Sequence, residues 1–393
     1  METKGISRRG FFKTAVGAAA ASTAFASAKS HAAEGPKVKE YRTLGRIGVK
    51  VSDISCGSYG MSEGMPLHVA RELGVNYFDT GPGYSKGQSE VWIGEIVQKS
   101  KREELGVATR WYVKPGVTKE SLLESLDASL SNLKTDYVDV IIAPCDKMDQ
   151  VKHEAIFAAF DEAKKAGKAK GLGVASHSPA MVEIMDYAVE SDKYDLIMPC
   201  YNFVKWQGLD KVIEKAAKKN VAVTVMKTMP GAKAQGGKVR ELWDKKAGEM
   251  GESALGFAAL SWVLTNPNVS TAVITMKNVD MAKAYLSASG TKQLGAKEQD
   301  LLRQYADAIS GDYCRPGCDL CTRGTGCKVQ VQDILRYRMY FKYYGIEKTA
   351  MQEYAHLADD ARAGGDLTGL RPCPYGIDIA AKLVEAHNLL SMA

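Results

Sequence analysis

Apart from its N-terminal segment, the chain has no window of eighteen apolar residues free of charge, which argues against a membrane-spanning helix in the body of the protein. No Gly-x-Gly-x-x-Gly follows the first candidate strand, and that counts against a doubly wound dinucleotide fold. Charge of one sign is not in surplus either. Of the formal +6, +4 lies in the first 32 residues, where Lys4, Arg8, Arg9, Lys13 and Lys29 oppose only Glu2, so the remainder is near +2. With Lys and Glu interspersed along stretches such as 209–220, the other basic residues read as solvated faces, not as a nucleic-acid surface. Also missing are the two separated Cys-x2-Cys pairs that zinc sites prefer.

What is present begins with Ser7-Arg-Arg-Gly-Phe-Phe-Lys13 and an alanine-rich apolar run from Thr14 to Ala28. Small-residue cleavage options follow at Ala26-Ser-Ala28 and Ser30-His-Ala32. Charge, short apolar region and small residues in that order make a signal peptide. The paired arginines followed by Phe-Phe-Lys resemble a twin-arginine (Tat) leader, an address read by the export machinery and not an anchor. The expectation is a leader over residues 1–32 and a periplasmic or otherwise exported mature chain, with an uncleaved tether as the alternative.

The remaining length, at 45% apolar composition, suffices for one large core or two ordinary ones. From residue 40 a short hairpin is expected, then alternating apolar strands and amphipathic helices. The strands are 53–57, 77–79, 105–109, 137–143, 171–176, 196–200, 221–226 and 271–275. The helices between and after them are 67–73, 90–98, 119–133, 154–166, 180–190, 209–219, 254–264 and 279–288. Eight βα units in one run specify an α/β fold of the (β/α)8 TIM-barrel type, whose active face lies at the carboxyl ends of the strands. Beyond residue 297 the pattern is helical only, giving a C-terminal extension over 297–393.

Val75-Asn-Tyr-Phe-Asp-Thr-Gly-Pro-Gly-Tyr84, with Ser89-Glu90 just downstream, resembles the second strand and loop of aldo-keto reductases. The hairpin at 40–52, Gly171-Leu-Gly-Val-Ala-Ser-His177, Cys200-Tyr-Asn202 and Val223-Thr-Val-Met-Lys227 extend the resemblance over residues 40–290. An isolated Asp-x4-Tyr would be read as an N-cap and a packed tyrosine; the resemblance implies chemistry instead. In that family an aspartate supports a lysine, the lysine tunes a tyrosine, and the tyrosine protonates a small carbonyl substrate that takes hydride from NADPH. Asp79 and Tyr84 match. Arg110 stands where the lysine is usual, and it cannot give up a proton or mimic a compact ammonium. Pro144 stands where a histidine would orient the carbonyl. For NADP, the resemblance implies contacts from Ser176 and His177 to the nicotinamide carboxamide, with Asn202 and Lys227 on the same face and Lys277 toward the adenosine phosphate. Met198 replaces a usual glutamine and Ala284-Tyr285 a usual Glu-Asn pair. The long stretch 229–253 is expected as a lid or cofactor strap.

Five of the eight cysteines fall in the last eighty residues, as Cys314-x3-Cys318-x2-Cys321-x5-Cys327 and a distant Cys373-Pro374. Three thiolates in one loop and a fourth before proline is an arrangement that holds an iron–sulfur cluster. The expected ligands of one 4Fe-4S cluster are Cys314, Cys318, Cys321 and Cys373, with Cys327 left over. Disulfides, zinc and a motif that binds nothing stay open beside it. The tail resembles the ferredoxin-like extension on one branch of the same family, which implies an electron-transfer protein as partner. Tyr337, Tyr340, Phe341 and Tyr344 recur at helical spacing, first of all a packing stripe. Cys56, Cys145 and Cys200, near strand ends, read as small buried thiols.

Overall fold

The computed structural model describes residues 36–204, 208–229 and 254–391, with Leu242 and Lys245. The leader over 1–32 and nearly all of the expected strap at 229–253 lie outside the described residues. A hairpin of β1 (Tyr41–Thr43) and β2 (Lys50–Ser52) precedes eight parallel strands: β3 (Ile54–Gly57), β4 (Tyr77–Asp79), β5 (Gly106–Arg110), β6 (Val138–Pro144), β7 (Ala169–Ser176), β8 (Leu196–Pro199), β9 (Ala222–Val225) and β10 (Thr271–Thr275). They close into a barrel in the order β10-β3-β4-β5-β6-β7-β8-β9. Mostly apolar runs, such as Val138–Pro144 and Ala222–Val225, form these strands because a parallel barrel buries both faces of each.

Helices cover the barrel: α1 (Met65–Glu72), α2 (Gln88–Gln98), α3 (Lys119–Leu133), α4 (Met148–Val151), α5 (Glu154–Lys165), α6 (Met181–Glu190), α7 (Leu209–Lys218), α8 (Ala254–Leu264) and α9 (Val279–Leu286). The start of α3 shows why a helix begins where it does. Thr118 and Ser121 form a reciprocal capping box, each side chain taking the other's backbone N–H. The short α4 is an addition to the expected pattern. Inside the barrel, Tyr77, Val140, Ile142, Leu196 and Met198 pack in one cluster with Leu44 and Val51 from the hairpin region, which plug the amino-terminal end. Gly45 is required there: at φ +38 any Cβ would come within 2.5 Å of the Ala222 nitrogen.

Beyond the barrel come α10 (Ala296–Ile309), α11 (Val331–Met339), α12 (Glu347–Ala355) and α13 (Ile379–Leu390). The α10 helix packs through Leu301, Leu302, Tyr305 and Ile309 on Leu255, Ala258 and Ala259 of α8. A separate core, with Ile334, Leu335, Tyr337, Tyr340, Tyr354, Ile379 and Leu383, belongs to the extension. Barrel and extension form one compact unit from Gly35 onward. Instead of running on as one α-helix, the aromatic stripe ends in a π turn, Tyr340–Tyr344, closed by Gly345 at φ 66. Among the described residues, no helix is long and apolar enough to cross a membrane.

Candidate active site

Asp79 ends β4 and Arg110 ends the neighbouring β5, so both side chains emerge on the barrel face formed by the carboxyl ends of the strands. They meet as an ion pair, Oδ1 to Nη1 at 2.7 Å, with only 3% and 6% of the side chains exposed. The same Nη1 donates to the Thr80 carbonyl, and Nη2 reaches only the Met198 sulfur at 3.7 Å. Burial pushes the Asp79 carboxyl up against the pull of Arg110, while Arg110, favoured by Asp79, stays cationic. A hydroxyl chain fixes the end of β4. Ser58 donates to the Asp79 carbonyl at 2.9 Å, and Ser89 bridges Ser58 and Thr80 at 2.5 and 2.6 Å.

Tyr84 is delivered by the Gly-Pro-Gly turn, and the chain after it is strained, with Ser85 at φ 51 and Lys86 at φ 58. The Arg110 guanidinium lies 5.0 Å from the Tyr84 ring centroid, over its face. Burial raises the Tyr84 phenol far above its ordinary value even with Arg110 opposing, so it is a protonated donor at neutral pH. Pro144 closes β6 and offers no donor. Two residues not singled out by sequence stand here. The Tyr59 ring meets Tyr84 edge-on at 5.0 Å. Tyr112 follows two residues after Arg110, just past the end of β5, where the Trp111 N–H still reaches the Ile142 carbonyl. Its hydroxyl rests over Gly81, in the turn that carries Tyr84. Both Tyr59 and Tyr112 are 37% exposed, so this side of the face is open to solvent.

The residues expected to meet NADP lie on the same face, and protein atoms already engage each of them. Ser176 Oγ reaches Asp146 and Ser178 at 3.3 and 3.2 Å. His177 faces Arg336 of α11, whose Nη1 lies 2.8 Å from Nε2 and closer still to Nδ1. Burial, with the Arg336 charge beside it, pushes His177 down to about 3, leaving it a neutral acceptor. Asn202 donates to the Lys227 carbonyl at 2.9 Å and accepts from the Val204 N–H at 3.0 Å. Lys227 donates to the Tyr340 hydroxyl at 2.9 Å and stands 4.6 Å from that ring's centroid. Lys277 donates to the Tyr344 carbonyl at 3.4 Å. Nicotinamide does not fit against His177, Lys227 and Lys277 while the extension holds them, whereas the bonds of Ser176 and Asn202 named above lie within the barrel. The signal for Arg336 and Tyr340 was present in the aromatic helix, where packing alone explained the stripe.

The four expected cluster cysteines come together from two segments. Arg371 N–H donates to the Cys321 carbonyl at 2.9 Å, and Gly369 at φ +81 lets its backbone pass so close to Thr325 that a Cβ would lie 3.0 Å from the carbonyl. Cys314 and Cys318 share a hydrogen bond, and Cys321 and Cys373 are near enough to act on Cys314 electrostatically. All eight cysteines are free thiols, so no disulfide links these five. Among the described residues no three His, Cys, Asp or Glu side chains are grouped to hold a metal ion. A single zinc needs its thiolates about 2.3 Å from one point, whereas a cubane cluster spreads four thiolates around several irons. Cys314, Cys318, Cys321 and Cys373 thus lie in one neighbourhood, and Cys327 is also near enough to act on Cys321 electrostatically. Cys327 instead points its thiol at the Asp366 carbonyl, 3.5 Å away. Cys145 is buried, and its thiol is pushed up to about 12, chiefly by that burial, so it is no nucleophile.

Residues 64–307 match the model of the Aldo/keto reductase family. The chain belongs to that family. It is 32% identical over 202 residues to a Schizosaccharomyces pombe protein named as a voltage-gated potassium channel subunit beta, covering 45% of this chain and 57% of the relative. It is 29% identical over 173 residues to the uncharacterized oxidoreductase YqkF of Bacillus subtilis, covering 40% and 55%. The chain thus spans little more than half the length of these curated relatives. Among solved structures, aldo-keto reductase AKR11C1 from Bacillus halodurans, in its holo form, aligns with a TM-score of 0.53 and 23% identity over 68% of this chain and 97% of that one. An aldo-keto reductase from Pseudomonas aeruginosa aligns with a TM-score of 0.50 and 21% identity, over 65% and 97%. These structures share the barrel; the extension has residues beyond the family match.

Proposed function

We propose that this chain is an exported oxidoreductase of aldo-keto reductase type that interconverts a small carbonyl and its alcohol at Tyr84 and holds one 4Fe-4S cluster on Cys314, Cys318, Cys321 and Cys373. The observation that carries the reading is the Asp79–Arg110 pair set against the face of Tyr84, on the solvent-open side of the barrel mouth. Tyr84 supplies the proton to the carbonyl oxygen. Arg110 fixes the ring, and Asp79 fixes Arg110. Tyr112, whose hydroxyl rests over Gly81 in the turn that carries Tyr84, holds the oxygen that Pro144 cannot. A bound cluster supplies one-electron transfer, which calls for a one-electron carrier protein as partner. Family membership makes NADP the expected hydride source, yet Ser176, His177, Asn202, Lys227 and Lys277 are engaged by protein atoms, so they do not meet it in this arrangement. Export by the twin-arginine route rests on Arg8 and Arg9, and replacing both by lysine should leave unprocessed protein in the cytoplasm.

A second reading, a barrel that kept the fold and lost the reaction, draws support from the strongly raised Tyr84 phenol together with Pro144. Anaerobic purification followed by analysis of released iron, sulfide and nucleotide addresses both. About four irons per chain are expected, lost in Cys321→Ala and Cys373→Ala and kept in Cys327→Ala; stoichiometric zinc would reject the cluster. Reduction of a reactive aldehyde, with NADPH or reduced methyl viologen as donor, should fall about a hundredfold or more in Tyr84→Phe. Turnover indifferent to that change places the chemistry elsewhere.

A further inference from the structure

The extension lies where a nicotinamide would have to go. In Arg336 of α11 one nitrogen lies against the His177 ring, within reach of whichever ring nitrogen is the acceptor, and another pairs with Asp333 at 2.7 Å, in a guanidinium only 10% exposed. One turn further on, Tyr340 holds the Lys227 ammonium with its hydroxyl and presents its ring to it, and Tyr344 adds a second ring at 5.4 Å and its carbonyl to Lys277. These contacts join one face of the extension to three strand ends: His177 after β7, Lys227 after β9 and Lys277 after β10. The cavity left between, lined among others by His177, Cys200, Lys227, Arg336, Met339 and Tyr344, has a volume of about 20 Å³. That is room for roughly one water, where ligand pockets run to about 300 Å³ or more.

We infer that the extension and a nicotinamide nucleotide are mutually exclusive occupants of the barrel face: the chain carries its own ligand for the cradle, and NADP(H) enters only when α11 and the π turn lift away. The inference rests on reading Ser176, His177 and Lys227 as nicotinamide contacts, and on neither the cluster nor turnover. A ligand that binds only the open form has its apparent affinity reduced by the fraction of chains that are open. By reciprocity, saturating nucleotide must loosen the extension. Tyr59 and Tyr112 keep 37% exposure with the extension in place, although Ile346 of the extension lies against Gly60 beside them.

The test is equilibrium binding of NADPH to the full-length, anaerobically purified protein, combined with amide hydrogen exchange over residues 331–344. Arg336→Gln should bind NADPH about tenfold or more tighter than wild type, the change that about 1.4 kcal/mol of lost closure makes. Tyr340→Phe removes only the hydroxyl that Lys227 donates to and should tighten binding about tenfold, the worth of one hydrogen bond from a charged group; it also covers the case in which Arg336→Gln fails to fold. Exchange over 331–344 should rise at saturating NADPH in whichever of these proteins binds it. Equal affinity in wild type and both variants overturns the inference, whether that affinity is high or nil, because the extension would not then be what governs entry. Unchanged exchange at saturation overturns it too. Loss of redox activity or of iron bears on the proposed reaction and leaves these binding results to stand.

Discussion

Removing one partner of the Asp79–Arg110 pair should have consequences that depend on which partner goes. Both groups are nearly fully buried and 2.7 Å apart. Asp79→Asn keeps the size of the side chain and leaves Arg110 charged, because a guanidinium does not give up its proton at any workable pH. An unpaired buried charge costs about 3 to 5 kcal/mol. Arg110→Met leaves a carboxyl that can escape by taking up a proton. Burial already pushes Asp79 above its ordinary value of 3.8, and losing Arg110 removes the pull that opposes it. An acid whose folded value is raised stabilises the fold below its unfolded value and loses that contribution as pH rises through the folded value. Arg110→Met should therefore cost about 1 to 2 kcal/mol at about pH 5 and clearly more at about pH 8, while Asp79→Asn costs the same at both. The double variant should cost less than the sum of the two, since neither group is left stranded.

Urea unfolding followed by far-UV circular dichroism at the two pH values measures this directly. Equal, pH-independent costs for the single variants, or a cost below about 1 kcal/mol for Asp79→Asn, would refute the reasoning. Either result would mean that water reaches the pair and shields it.

Three further outcomes are expected. Arg338→Met removes a guanidinium with 2% exposure that joins Glu385 at 2.7 Å to Asp312 at 3.2 Å; because Lys342 and Lys382 still pair with those acids, the cost should be about 1 to 2 kcal/mol, read as faster amide exchange in α11 and α13 before any change in the barrel. His177, held down to about 3 by burial and Arg336, with the Asp146 carboxylate opposing, against a free value of 6.5, favours the closed extension above pH 6.5 and loses that contribution as pH falls toward 3, so protection over 331–344, corrected for the pH dependence of intrinsic exchange, should fall on acidification in wild type and fall less in His177→Gln, where Asp333, paired with Arg336, still titrates. Arg110→Lys with Pro144→His should raise aldehyde reduction more than the two single changes combined, and Tyr112→Phe should cut wild-type turnover about tenfold or more yet cost the double variant little, because a histidine at 144 takes over the same oxygen.

The barrel was legible because its signal is repeated eight times. The strands are short and mostly apolar, most of the helices are amphipathic while Ala254–Leu264 is apolar nearly all round, and the observed strand ends fall within a few residues of the expected ones. Asp79 and Arg110 were legible for the same reason: once two adjacent parallel strands are placed, the residues that end them must share the active face. What stayed hidden depends on tertiary docking. Tyr337, Tyr340, Phe341 and Tyr344 satisfy a helical packing stripe, and a stripe says that a face is covered without saying by what. The structure gives that stripe two partners at once, the extension's own core for Tyr337 and the Tyr340 ring, and the Lys227 ammonium for the Tyr340 hydroxyl. A residue-level clue did exist. A stripe built only to pack has no use for phenols, because each buried hydroxyl needs a polar partner. Tyrosine at 340 and 344, with Arg336 one turn earlier, marks a face that packs and binds together, while Lys227 and Lys277 wait at the ends of two barrel strands with the chemistry to meet it.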